Sequence, residues 1–451
     1  MKRALAALLT TAGVVVVVAT VWVWRSGPTV VRDDLPNVVL IVLCSTRADM
    51  TPWFSDSFDT MPSLQAAMAD GVVFEDGITA APWTRPAVTA IVSGAHPGTL
   101  GLLEPLPKRS NRVVPETATL LSEHLDALGF YTVARSANPN VSRVFGFDQG
   151  FDDFNNLSET WRQGVEKIPG LEVSESVLAS LDDRPADTPV YVQAVYVDAH
   201  QPFDVSRRTG RPWRHSNEPL RVGRYRAMLR KLDAAVSALI VGLAERDITP
   251  ENSVFVVVND HGEGLIWPTH HGRGHGRYLY PSTTKLVWTM TGVGVDSGRI
   301  QGLASQVDIA PTLMDLMGEL GAGSWEGQSL AASVRDAAVP TGRERAFSAT
   351  MFSDTERGAV FSESAACLHD YGDGTAQATE LGRRKPVFEA SCFTRTTTEL
   401  GTAAAHPELG AELDAWWSDM RGRLDAWGDS GADVPADLDA MLHALGYTDD
   451  P

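Results

Sequence analysis

Seven consecutive residues, Ser253-Val254-Phe255-Val256-Val257-Val258-Asn259, constrain the fold of this 451-residue chain more than any other feature. The run is short and rich in β-branched side chains, so it reads as a strand covered on both faces. Such strands belong to mostly parallel sheets, because crossover helices cover both faces at once. Asn37 to Leu43 has the same character. Further strand candidates at 131–135, 190–197 and 285–290 alternate with helical stretches near 61–70, 116–128, 174–181, 223–246 and 308–318. The alternation predicts an α/β fold, and a hydrophobic content of 43% is enough for a large core. Past about residue 340 the pattern changes to short segments around Ala366-Cys367-Leu368 and Ser391-Cys392-Phe393, which predicts a small antiparallel C-terminal subdomain. Leu438 to Leu445 reads as an amphipathic docking helix.

The chain begins with Lys2 and Arg3, followed by about 21 uncharged residues from Ala4 to Trp24 and then Arg25, a length that matches a bilayer span. A cleaved signal peptide would have an apolar core of about 7–15 residues and a small-residue cleavage site. The longer run, ending Val21-Trp22-Val23-Trp24 with tryptophans suited to a membrane interface, favours a single-pass signal anchor in the inner or plasma membrane. Lys2 and Arg3 would hold the N-terminus in the cytoplasm and leave the rest extracytoplasmic, that is periplasmic. The expected division is an anchor at 1–25, a linker at 26–36, a catalytic domain at 37–335, an α+β subdomain at 336–430, and a docking helix with tail at 431–451. A formal net charge of −19 excludes a nucleic-acid partner, which needs clustered Lys and Arg. Of three cysteines, Cys367 and Cys392 fall in the strand-rich tail and are expected to pair in an oxidising compartment, leaving Cys44 as the odd thiol.

Asp260-His261-Gly262-Glu263 directly follows the Ser253–Asn259 strand. Ligands bind in the crevice outside the carboxyl ends of such strands, so an Asp-His pair leaving one together is placed for metal chemistry, though Asp and Gly there also make simple turns. Thr84 lies two residues before Pro86 and is expected at the N-cap of a helix running through Val92. It either only caps, or it uses the helix N-terminus and a neighbouring metal to become a nucleophile. His200 and His275 stand in loops beside Pro or Gly, where a ring can face a crevice and transfer a proton.

Several segments carry a resemblance that runs nearly end to end. They are Val38 to Leu43 with Cys44-Ser45-Thr46-Arg47-Ala48-Asp49, then Ala81-Pro82-Trp83-Thr84-Arg85-Pro86, Gly146-Phe147-Asp148-Gln149-Gly150-Phe151-Asp152 and Asp198-Ala199-His200-Gln201-Pro202. After Asp260-His261 come Gly274-His275-Gly276, Gln306-Val307-Asp308-Ile309-Ala310-Pro311 and Leu442-His443-Ala444-Leu445-Gly446-Tyr447. In this order the chain resembles the sulfatase family of the alkaline phosphatase superfamily. The resemblance implies an alkaline-phosphatase-like three-layer αβα sandwich and one divalent cation: zinc, manganese, calcium or magnesium. Thr84 takes the nucleophile position. The family's sulfate-ester hydrolases place there a Cys in a Cys-x-Pro-x-Arg setting that matures to formylglycine, and no cysteine of this chain has that setting. Relatives with Thr act on phosphoesters, phosphonates or phosphoglycerol groups.

Cys44 is the second departure, because the family carries a metal-binding Asp there. As a ligand with Asp260 and His261 its soft thiolate would favour zinc; as a bystander it is a buried free thiol, and both readings stay open. His200 and His275 would contact the anionic ester, with His270, His271 and Arg273 near the same mouth. Arg47 would clamp an oxyanion or serve as an ion-pair partner. The expectation is a membrane-anchored, metal-dependent hydrolase of a sulfate or phosphate ester that uses Thr84. The alternatives are a transferase moving a headgroup onto an envelope glycan or lipid, and a degenerate member that only binds.

Overall fold

The computed structural model describes residues 35–103, 112–160, 167–265, 273–352, 355–372, 391–427, 434–445 and Tyr447. The apolar run Ala4–Trp24, His270 and His271 lie outside them. Among the described residues no helix is long and apolar enough to cross a membrane.

The main sheet draws on β1 (Asn37–Leu43), β2 (Val72–Ile78), β3 (Tyr131–Ser136), β4 (Asp153–Asn156), β5 (Val190–Tyr196) and β6 (Ser253–Asn259). A two-residue ribbon, β7 (Gly264–Leu265) with β8 (Arg273–Gly274), stands apart from it. Three more strands, β9 (Lys285–Leu286), β10 (Trp288–Gly292) and β11 (Gly298–Ser305), complete the sheet. Its order is β11-β2-β10-β6-β1-β5-β3-β4, with β9 beside β2. β10 runs antiparallel to β6 and β2, and β9 antiparallel to β2; the other pairs are parallel.

Alternation along the central strands divides the core into two layers. Val38, Leu40 and Val42 with Val254, Val256 and Val258 face the helices Thr84–Ser93, Leu121–Ala127, Ile309–Leu316 and Ala436–Ala444. Val39, Ile41 and Leu43 with Phe255 and Val257 face the helices Pro62–Ala67, Gly170–Ser180 and Leu220–Ala244. Every residue of β1, β5 and β6 is buried, as the continuous apolar runs require. Because β1, β3, β5 and β6 are parallel, their carboxyl ends open on one edge of the sheet.

The strand at β2 was not expected from its sequence. Glu75 and Asp76 interrupt the apolar pattern, and only the tertiary partner of Asp76 makes the strand tolerable. That partner comes from a second sheet, antiparallel as expected, of β12 (Ala346–Thr350), β13 (Arg357–Phe361), β14 (Ala365–Asp370), β15 (Ser391–Arg395) and β16 (Leu400–Ala403) in sequential order. Leu409 and Leu413 of the helix Pro407–Ala426 pack on it with Val360 and Ala365. Cys367 and Cys392 are register partners on β14 and β15 and form the expected disulfide.

Arg395 at the end of β15 reaches into the main domain and grips buried Asp76 with both terminal nitrogens, one at 2.9 Å. Lys285 approaches the same carboxylate at 3.4 Å, and burial lowers its pKa to about 8. One carboxylate therefore compensates two buried cations across the joint. Asp76→Ala is expected to cost about 3–5 kcal/mol, because it leaves both cations without that partner. Urea unfolding of the variant checks this, and a loss below 1 kcal/mol would show that water reaches the joint.

Candidate active site

The register of the central strands assembles the site. β1 pairs with β6 up to Leu43 against Asn259, so the next residues, Cys44 and Asp260, emerge side by side. Cys44 Sγ lies 3.0 Å from Asp260 Oδ2. The other oxygen, Oδ1, accepts the backbone N–H of Ser45 at 2.9 Å and that of His261 at 2.6 Å. Burial, and then the charge of Asp260, push the Cys44 thiol well above its usual range, so the sulfur keeps its proton and donates it to the carboxylate. The turn after β1 is pinned by Tyr225, whose hydroxyl donates to Ser45 O and accepts from Arg47 N, both at 2.7 Å.

Thr84 enters from the other layer. Its helix starts at Thr84 itself with Trp83 in the cap position, so Thr84 is the first helical residue and not the N-cap. This change matters chemically, because the hydroxyl is free of capping and turns to its neighbours. Thr84 Oγ1 lies 3.4 Å from His261 Nε2, 3.9 Å from Cys44 Sγ, 3.2 Å from Asn138 Nδ2 and 2.8 Å from the Tyr447 hydroxyl. Thr84, Cys44, Asp260 and His261 are all fully buried.

Three imidazoles line the pocket. His261 Nδ1 lies 2.7 Å from Gly262 O, which assigns the proton to that nitrogen and leaves the Nε2 lone pair facing the Thr84 hydroxyl. His200 is tied the same way, with Nδ1 donating to Gln201 O while Nε2 has no partner. Lys167 fixes this loop by donating to the carbonyls of Asp198 and His200 at 2.7 and 2.6 Å. His275 Nδ1 faces Glu263 Oε2 at 3.5 Å. The ring of His275 lies 4.9 Å from that of His200 and 4.3 Å from that of His261. Burial lowers the pKa to about 3 for His200 and about 4 for His261 and His275, so all three rings are neutral at pH 7.

Of the residues expected from sequence, Cys44, Thr84, His200, Asp260, His261 and His275 gather in this one pocket. Arg47 engages the two oxygens of Asp49 through Nε and Nη2 at 2.9 and 2.6 Å, while its Nη1 lies 3.5 Å from Glu263 O. His271 lies outside the described residues. Asn138 and Tyr447 were not expected as site residues, and neither was Glu263. Asn138 sits two residues past β3, where the sequence shows only a Ser-Ala-Asn-Pro turn; its place beside Thr84 follows from β3 lying next to β5 in the sheet. Tyr447 belongs to the closing Leu-Gly-Tyr motif, but nothing local says where that tail goes.

Among the described residues no set of three or more His, Cys, Asp or Glu side chains is arranged to hold a metal ion. The donor chemistry agrees for calcium and magnesium, which take six or more oxygen ligands. Here the Asp260 carboxylate already accepts from two N–H groups and a thiol, and its neighbour Cys44 is a protonated sulfur. Cys44, Asp260 and His261 thus meet as a hydrogen-bonded set that does not fit a hard cation.

The sulfatase family model matches residues 36–319. The chain belongs to the sulfatase family. Its fold is shared with a 2-O GAG sulfatase (TM-score 0.65, 15% identity, 91% of this chain and 96% of that one). It is shared too with a phosphonate monoester hydrolase from Silicibacter pomeroyi (TM-score 0.63, 14% identity, 86% and 95%). In sequence it is 25% identical over 276 residues to the low-salt glycan biosynthesis sulfotransferase Agl7 of Haloferax volcanii, covering 59% of this chain and 60% of that protein. The match therefore spans less than two thirds of that relative's length. Enzymes of the sulfatase family typically use a divalent metal.

Two outcomes follow from the site's electrostatics. A histidine with a folded pKa near 3, against about 6.5 when unfolded, leaves the unfolded state binding more protons between those values, so its stability contribution is present above pH 6.5 and lost as pH falls. His200→Asn is therefore expected to lose less stability than wild type between pH 6.5 and 4, by up to about 1.4 kcal/mol per pH unit. Parallel slopes of unfolding free energy against pH would place His200 in contact with water. Separately, Cys44→Asp adds a second carboxylate beside Asp260. Calcium or magnesium is expected to raise the melting temperature of this variant, by the equivalent of about 2.7 kcal/mol at 100 times Kd, and to leave wild type unmoved. Equal shifts in both proteins would count against the misfit.

Proposed function

We propose that this sulfatase-family protein cleaves a sulfate or phosphate ester by attack of Thr84, with His261 as the base. The observation that carries this reading is the 3.4 Å approach of Thr84 Oγ1 to a His261 nitrogen whose partner nitrogen is already held by Gly262 O. As Oγ1 attacks sulfur or phosphorus, its proton passes to His261 Nε2. That nitrogen lies 3.3 Å from Asp260 Oδ2, whose charge stabilises the new imidazolium. The start of the helix Thr84–Ser93 points its partial positive charge at the charge developing on the ester oxygens.

The pocket without ligand has three neutral rings, and an incoming anion brings the charge that makes their protonation favourable. His200 and His275 then change from acceptors to donors, and one of them protonates the leaving oxygen. The roles given to Thr84, His261, His200 and His275 do not run through a calcium or magnesium ion, which the Cys44–Asp260–His261 set does not fit. The adduct on Thr84 is released to water in a hydrolase or to an acceptor hydroxyl in a transferase. The hydrolase is the main reading. The complete burial of Thr84 and the 25% identity to a protein described as a glycan biosynthesis sulfotransferase favour transfer as the second. Either reading suits an ester carried on a glycan, met outside the cytoplasm if the apolar run 4–24 anchors the chain.

Aryl sulfate, aryl phosphate and aryl phosphonate monoesters, offered with and without glycerol as acceptor, test the proposal. Thr84→Ala is expected to lower turnover at least about 10³-fold with the fold intact, while Thr84→Ser keeps most of it. A glycerol ester among the products separates transfer from hydrolysis. Equal turnover by wild type and Thr84→Ala would overturn the role of Thr84. No turnover of any ester by wild type would favour the binding-only reading.

A further inference from the structure

We infer that Tyr447 is an internal competitor for the substrate's oxyanion, held over Thr84 by the C-terminal helix, and that this helix must withdraw before the ester can enter. The inference rests on the reading of Thr84 as nucleophile. An ester centre attacked by Oγ1 has to come within about 3–3.5 Å of it. The surroundings of that oxygen are filled. Among the described residues, Cys44 and His261 lie on the sheet side at 3.9 and 3.4 Å, Asn138 stands at one flank at 3.2 Å, and the Tyr447 hydroxyl comes nearest at 2.8 Å. The phenol also uses the donor an ester oxygen would use, since Asn138 Nδ2 lies 3.3 Å from it. Its ring stands 5.3 Å from that of His200 and 5.7 Å from that of His275, beside both groups assigned to the leaving oxygen. With Tyr447 in place its hydroxyl holds the hydrogen-bonding positions beside Thr84 and Asn138 that an incoming oxyanion needs.

The tyrosine and the walls of the pocket belong to different parts of the fold. Thr84, His261 and Asn138 are fixed by strand ends and a core helix, whereas Tyr447 lies 363 residues from Thr84 in sequence and is carried by the helix Ala436–Ala444. Its backbone N–H donates to Leu442 O at 2.8 Å, so it moves with the helix. That helix buries three side chains, Leu438, Met441 and Leu442, and exposes most of the rest. A small cavity remains between Met441, Ala444 and Leu445 on the helix side and Ala137, Pro139 and Val197 at the ends of β3 and β5. The helix thus covers the edge of the sheet where the site opens, held there by these three side chains. Substrate binding and helix docking exclude each other, which makes the C-terminal segment a selector for ligands that can displace it.

Orthovanadate, a mimic of the pentacoordinate ester centre, is the probe. Its affinity is measured calorimetrically on full-length wild type, Tyr447→Phe, Tyr447→Ala and a chain ending at Leu445. Tyr447→Ala and the shortened chain are expected to bind vanadate at least tenfold more tightly than wild type, with Tyr447→Phe in between because it keeps the ring and loses the hydroxyl. Should the alanine variant or the shortened chain fail to fold, Tyr447→Phe decides by the sign of its change. Unchanged or weaker binding in the folded variants would overturn the inference while leaving Thr84 as a candidate nucleophile, since wild type would still bind. No vanadate binding by any protein, wild type included, would overturn both.

Discussion

The buried carboxylate of Asp260 is the constraint on which the site depends. It lies at the end of a strand with no exposed atom, so its oxygens need donors from within the protein. Those donors come from the turn after β1, through Ser45 N–H and the Cys44 thiol, and from its own turn, through His261 N–H. Meeting that need fixes the two turns against each other, aims His261 at Thr84 and keeps Cys44 protonated. A second carboxylate at position 44 would repel Asp260, whereas the thiol donates to it, so the arrangement closes on donors from the protein.

The rest of the fold braces that centre. Gln306, in the segment that closes β11, bridges layers: its Oε1 accepts Ala80 N–H at 2.8 Å while its amide donates to the carbonyls of Asn259 and Asp260. It thereby ties the approach to the Thr84 helix to the turn that carries His261. Asp308, two residues on, is buried and paired with Arg343, which leads into the second sheet. With Asp76 and Arg395 this makes two buried ion pairs across the joint. Such pairs stabilise little beyond a hydrophobic contact, but they are costly to break, so they hold the second sheet in one position.

Much of this was legible in the chain, and the residues that were not share a physical reason. The strands β1, β5 and β6 announce themselves because both faces are buried and every position must be apolar. Thr84, Asp260 and His261 were legible because each lies at the end of such a strand or near the start of a helix, and His200 and His275 because each stands in a loop beside Pro or Gly. Thr84 sits one residue deeper in its helix than the spacing to Pro86 predicts, since Trp83 satisfies the extended cap geometry without a capping side chain. The strand β2 was hidden by Asp76, and Asn138 by an unremarkable turn.

The sequence by itself determined an α/β fold with a parallel core, an antiparallel C-terminal subdomain with a disulfide, and most of the residues that converge at one edge, because burial and the alternation of strands with helices are written in short-range patterns of apolar and polar residues. Only the tertiary structure decided what those residues do to one another. The pairing of Cys44 with Asp260 depends on the register of two strands more than 200 residues apart, and the contact of Tyr447 with Thr84 depends on where the last helix docks. Hydrogen-bond partners, and the pKa values that burial imposes, are properties of those distances, which no local pattern contains.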